Sequence, residues 1–243
     1  RLTSQNELGN YLSLIWVTPQ MDRLFLGGAQ NRRSFLDRIV YAFDVEHAKR
    51  LSAFDNLYRQ WLQVLKSPSP NQRWLLSLEE QMAGFGVAIA AARQEQVNRL
   101  NAFMENNADD VFPDVSLELD GTLEQMITQK PAVYVEDFYK ESLIKQRRNI
   151  LYNDSATEIS KTDLKVCYKQ KNMPANLCST GEQKSLLLSI ILSQARCLTA
   201  TRGYPPILLL DEVAAHLDDF KRDAFLNKIT ELKTQCWLTT TSL

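Results

Sequence analysis

LCSTGEQKSLLLSIILSQARCL, residues 177–198, opens on small polar residues and runs into an almost unbroken apolar series. Ser179 with Glu182 three positions later is the pattern of a capping box. In it the Ser hydroxyl and the Glu carboxylate each satisfy a backbone amide that a helix start leaves without a partner. Beyond it Leu186, Leu187, Leu188, Ile190, Ile191, Leu192, Ala195 and Leu198 leave hardly any polar face, so this helix is expected to lie buried. The same start is suited to an anion. It offers a hydroxyl, a glycine (Gly181) that lets a ligand approach the backbone, and first-turn amides at the positive end of a helix.

A short loop later comes YPPILLLDE, residues 204–212. Four aliphatics in a row, preceded by prolines and ended by two carboxylates, fit the central strand of a parallel sheet. Such strands are buried on both faces and carry ligands at their carboxyl ends. Adjacent acids at that edge are costly unless they hold a cation or act on a substrate; the plain alternative is a strand that ends in a solvated turn. Leu217-Asp218 follows, then a helical stretch over about 220–233 and a final strand candidate, CWLTTT, at 236–241.

Buried helix, acid-ended strand, Asp-containing loop, helix and last strand come in an order similar to the C-terminal half of an ABC-type ATPase head. The resemblance implies roles. Ser179, Gly181 and Gln183 stand at the S-x-G-x-Q signature, which in that class binds the γ-phosphate of a nucleotide held by the opposite subunit. Asp211 and Glu212 stand at the Walker B position, where the first orients Mg²⁺ and the second polarises the attacking water. Asp218 falls in the D-loop, and Thr241, in Thr239-Thr240-Thr241, in the switch region. The implied fold class is α/β: part of an ABC-ATPase head with an inserted all-helical arm.

Working toward the N-terminus, YLSLIWV at 11–17 reads as a buried strand stopped by Thr18-Pro19, because proline biases its predecessor toward extended geometry. After the Gly27-Gly28 turn, helical periodicity begins over 32–43. Over 44–66 the apolar positions Ala48, Leu51, Tyr58, Leu62 and Leu65 form a seam, with Asp55 in its gap. Ser67-Pro68-Ser69-Pro70 breaks that helix. A second seam of Leu75, Leu78, Met82, Phe85, Ile89 and Ala92 follows, so the pair predicts an antiparallel helix hairpin. VSLEL at 115–119 reads as a strand ended by Asp120-Gly121. Residues 133–151 read as a helix with Val133, Phe138, Leu143 and Ile150 apolar, and Lys145, Arg147 and Arg148 as a basic cluster near its end. DLKVCY at 163–168 reads as a strand. The expected partition is head at 1–36, helical arm at 37–112 and head again at 113–243.

The 243 residues are 44% hydrophobic and 23% charged, with a net charge of −1 and a pI near 6.2. That balance gives no overall electrostatic footprint for nucleic acid, so DNA binding needs a local patch. Cys167, Cys178, Cys197 and Cys236 lie far apart with no C-x-x-C pair. This spacing argues against structural zinc and fits a reducing cytoplasm. No apolar run approaches the roughly 20 residues of a membrane-crossing helix, and no membrane partner is expected. The chain begins at Arg1 and lacks G-x-x-x-x-G-K-[ST], the loop that cradles ATP phosphates; it reads as the interior of a longer protein.

GGAQNRRSFLDRIVYAFDVEHA (27–48), WVTPQMDRLF (16–25), CSTGEQKSLLL and LLLDEVAAHLD resemble the RecF family in sequence and order, and the resemblance runs over the whole chain. It implies an ATP- and Mg²⁺-dependent homodimer that binds DNA at single-strand gaps and duplex junctions. It also implies recombination mediator proteins and the RecA recombinase as partners. One stretch departs from the family: Gly-Pro-His-Arg-x-Asp-Leu is here EISKTDL, residues 158–164, keeping only the Asp-Leu and a basic residue. Two other readings stay open, a non-catalytic scaffold without its phosphate loop and another ABC-type ATPase. A transporter ATPase would normally carry His where Thr239-Thr240-Thr241 stands and would lack the two-helix arm.

Overall fold

A computed structural model describes residues 8–9, 11–106, 111–153, 157–213 and 217–240. In chain order come β1 (Leu14–Val17), a 3-10 turn (Pro19–Arg23), α1 (Ala29–Phe43), α2 (Glu46–Leu65), α3 (Gln72–Asn106), β2 (Val115–Asp120) and α4 (Thr122–Ile127). Then follow α5 (Ala132–Asn153), α6 (Glu158–Lys161), β3 (Asp163–Tyr168), β4 (Met173–Pro174), α7 (Thr180–Arg202), β5 (Ile207–Asp211), α8 (Asp219–Glu231) and β6 (Cys236–Thr239). The divergent EISKTDL stretch forms α6 and the start of β3. Two compact units emerge: Glu46–Glu95 with Leu119–Asp163, and the remainder of the chain. The expected partition at 37–112 does not coincide with them, since residues 37–45 and 96–112 group with the sheets and 119–163 with the helices.

In the sheet unit β5 lies between β1 and β6, all parallel, with Leu209 opposite Trp16 on one side and Trp237 on the other. The acid-ended run is therefore the central strand, as its aliphatics predict. Its burial differs from expectation. Leu208 and Leu210 are buried, while Leu209 is 37% and Trp237 63% exposed, so among the described residues only one face of this sheet is covered. A second sheet has the order β2-β3-β4, with β3 and β4 antiparallel. The Asn101 side chain serves Leu117 of β2 at both backbone groups, donating to its carbonyl at 2.7 Å and accepting from its amide at 2.9 Å.

Helix α7 is buried along its length, as its sequence predicts: Leu186, Leu188, Ile190, Ala195 and Leu198 have no exposed surface. It ends at Gly203, whose φ of 77° is left-handed and whose amide closes on Thr199; glycine takes that conformation without a Cβ penalty.

In the helical unit the buried line of α2 is His47, Phe54, Trp61, Val64 and Leu65; of the expected seam of Ala48, Leu51, Tyr58, Leu62 and Leu65, Leu65 alone lies on that line. Leu51, Tyr58 and Leu62 pack partly buried beside it and Asp55 is exposed. The large rings of Phe54 and Trp61 remove more apolar surface from water and take the core. In α3 Leu75, Leu78, Met82 and Ile89 are core residues as read. By length and composition α3 would suffice to cross a membrane, with mean hydropathy 1.2 over its most apolar 18 residues, which the sequence reading did not anticipate; half of that window is buried within the protein. In α5 the buried residues are Val135, Tyr139 and Leu143, while Val133 and Phe138 are exposed. Two residues of its basic cluster are engaged. Arg147 grips the buried Glu79 with two 2.6 Å hydrogen bonds, and Lys145 pairs with Glu141. Trp61 Nε1 also donates to Glu79, at 2.8 Å, so the buried carboxylate is paired as its desolvation requires.

Candidate functional site

The N-terminus of α7 forms the capping box that the sequence predicts. Ser179 is the N-cap, its hydroxyl accepts from the Glu182 amide, and the Ser179 amide donates to Glu182 Oε2 at 2.8 Å. Lys171, in the turn after β3, pairs with the other carboxylate oxygen of Glu182. That hydrogen bond, followed by the two from Ser179, holds the Glu182 carboxyl down to about 2. It is therefore ionised, and the box closed, throughout the neutral range. Gly181 occupies the first turn, and a Cβ there would meet nothing within 4 Å. The chain's own packing gives no reason for glycine at this helical position, where alanine is roughly 0.5–1 kcal/mol better. Close approach by something outside the chain does give one.

Gln183 points inward. It is buried, its Nε2 donates to the Cys178 carbonyl at 2.8 Å, and its Oε1 is buried with no hydrogen-bond partner among the described residues. It braces the loop beneath the helix start, while Ser179 is exposed.

At the carboxyl end of β5, Asp211 pairs in register with Thr239 of β6 and accepts a hydrogen bond from the Thr239 hydroxyl. The same hydroxyl oxygen accepts from the Glu212 amide at 3.1 Å. Glu212 has φ 51°, a left-handed conformation uncommon outside glycine. Its carbonyl accepts from Lys184 Nζ at 3.4 Å, and Lys184 also pairs with Asp22 at 3.1 Å. The two carboxylates thus stand at an exposed sheet edge, while a lysine from α7 ties that edge to the helix that begins at Ser179. Among the described residues no three His, Cys, Asp or Glu side chains gather. A metal here would be held by one or two carboxylates together with substrate oxygens. That donor set fits Mg²⁺, which keeps few protein ligands and is shared with phosphates.

Asp218 caps α8, accepting from the Lys221 amide at 2.8 Å. Thr241 lies outside the described residues. Thr239, read from the sequence only as part of the Thr239-Thr240-Thr241 run, also meets this edge, as do Lys184 and Asp22, which the sequence reading did not single out. The signal for Lys184 was present: one cation at the head of a helix with almost no solvent face, which needs a buried partner.

No family model matches the chain. Curated relatives do. The chain is 42% identical to the DNA replication and repair protein RecF of Mesorhizobium japonicum over 240 residues, 98% of this chain and 63% of that protein. It is 40% identical to that of Rhizobium rhizogenes over 242 residues and 41% to that of Brucella abortus over 240. The chain thus spans about 63% of the length of these relatives. A solved structure of the recombination mediator protein RecF-ATPrS in the RecFOR pathway superposes with TM-score 0.82 at 20% identity, over all of this chain and 66% of that one. The RecF-ATP structure superposes at 0.75 over 99% and 66%. These likenesses show the fold, an α/β ATPase head of the RecF kind.

Proposed function

We propose, since this chain belongs to the RecF family, that it is the signature-bearing part of an ATP-gated, DNA-binding protein of recombinational repair. The observation that carries this reading is the pairing of an outward helix start, with open space at Gly181, and a two-carboxylate strand end linked through Lys184. In the proposal Ser179, Gly181 and the first amides of α7 meet the γ-phosphate of ATP held by a second subunit, where helix-start amides favour negative charge. Asp211 holds Mg²⁺, whose charge offsets that of the phosphates. Glu212 orients the attacking water and accepts its proton. Gln183 keeps the signature loop in shape, and Asp218, at the N-cap of α8, contributes to nucleotide binding. ATP binding closes the homodimer on single-stranded or gapped duplex DNA, where mediator proteins and RecA are recruited. The setting is the cytoplasm, without a membrane.

Ser179→Arg in the full-length protein tests the shared site. A long side chain is placed where phosphate oxygens must reach amides, while Asp211 of the same subunit is untouched. ATP binding should persist, whereas light scattering with ATP and Mg²⁺ should show no dimer. A variant that merely loses the ~0.5–2 kcal/mol of a helix cap in its melting curve, yet still dimerises, refutes the role across subunits.

A further inference from the structure

We infer that Lys184 is a positioning residue that sets the aim of Glu212, an inference that rests on the catalytic reading of Glu212. Lys184 is buried, with only 4% of its surface exposed. Lysine is rarely buried without a partner, because the ammonium loses its hydration. It has two: Asp22 in the turn that leaves β1, at 3.1 Å, and the Glu212 carbonyl, at 3.4 Å.

The second contact falls where the backbone of this site is held in an unfavourable shape. Glu212 takes φ 51°, a conformation that a side-chain-bearing residue keeps only when its surroundings hold it there. Its surroundings do so from both sides. The amide is fixed by Thr239 of β6 at 3.1 Å and the carbonyl by Lys184 of α7. With both flanking peptide groups pinned, the direction of the Cα–Cβ bond is set, and with it the region the carboxylate can reach. Asp22 in turn anchors the ammonium, so that three separate elements (the exit of β1, the head of α7 and β6) converge on one backbone. Because Lys184 lies just past the first turn of the helix capped by Ser179, it also makes the aim of Glu212 depend on where that helix start sits.

The test uses the full-length protein with Lys184→Met, which keeps the length and removes the charge, beside Lys184→Arg, Asp22→Asn and Glu212→Gln. For Lys184→Met, kcat for ATP hydrolysis should fall at least about tenfold while KM for ATP stays within about threefold, the signature of a lost orienting interaction rather than lost binding. Lys184→Arg, which keeps a cationic donor, should hydrolyse faster than the Met variant, and Asp22→Asn should fall between the Met variant and the parent. Backbone amide exchange at residues 212 and 213 should accelerate in Lys184→Met, a readout that needs no turnover. A folded Lys184→Met protein with parental kcat, a loss carried mainly by KM, or unchanged exchange at 212 and 213 overturns the inference. If Lys184→Met does not fold, Asp22→Asn decides it by the same three readings. Inactive Glu212→Gln beside fully active Lys184→Met sinks the positioning role and leaves the catalytic reading standing. Fully active Glu212→Gln removes the catalytic reading itself.

Discussion

Glu212, the proposed water-orienting base, sits at φ 51° between a Thr239 acceptor and a Lys184 donor. Glu212→Gln keeps shape and hydrogen-bonding capacity at this position while removing the negative charge. In the full-length protein it is expected to leave ATP binding and ATP-dependent dimerisation intact and to slow turnover by about 10²–10⁴-fold, the range of general-base contributions. Steady-state hydrolysis measured beside light scattering checks this, and unchanged turnover takes Glu212 out of the chemistry. Residue types at this edge were legible in sequence; the conformation of Glu212 was not, because a left-handed φ at a glutamate has no local cause. Thr239 and Lys184, from distant parts of the chain, contact the two adjoining peptides.

Helix α3 shows how an element's glycines divide by what they face. A Cβ at Gly86 would come within 2.4 Å of Tyr139 Cε1, whereas at Gly84 it would meet nothing within 4 Å. Tyr139 is fully buried in the helical core, so its ring has nowhere to retreat. Helix propensity alone favours Gly→Ala by roughly 0.5–1 kcal/mol at either site. Overpacking costs about 1–3 kcal/mol. Gly84→Ala is therefore expected to raise the melting temperature and Gly86→Ala to lower it, despite identical chemistry two positions apart. Thermal unfolding of the pair decides it: a gain in both means that the ring moves, and the close packing argued for this core is wrong. The same helices mark where periodicity falls short. Of the expected seam, Ala48, Leu51, Tyr58 and Leu62 flank the buried line of α2 and Leu65 lies on it, because spacing defines a stripe while the size of Phe54 and Trp61 decides its centre.

As a molecule, these 243 residues have the signature helix and the carboxylate edge but no G-x-x-x-x-G-K-[ST] loop. Phosphate cradling draws on the backbone amides and lysine of such a loop. The chain prepared by itself is accordingly expected to show no submillimolar ATP binding by calorimetry, and a clear binding isotherm would mean that the described site holds nucleotide unaided. Its net charge of −1 bears on the same scale, because any DNA contact has to come from a local surface rather than from the overall field.

Local sequence determined those features whose causes are local. The Ser179–Glu182 capping box, the β5 strand ended by Asp211, the stop at Thr18-Pro19 and the apolar α7 each follow from neighbours a few positions apart, and each is found where it was read. Likeness to RecF was legible for the same reason, since it resides in contiguous motifs. Tertiary structure alone decided the rest. It turned Gln183 inward, spent Arg147 on the buried Glu79, left Leu209 exposed on a sheet expected to be covered on both sides, and brought Thr239 to the Asp211 carboxylate and Lys184, paired with Asp22, to the Glu212 carbonyl. Each of these outcomes depends on which distant group arrives to satisfy a buried charge or amide or to cover a face, and spacing along the chain does not carry that information.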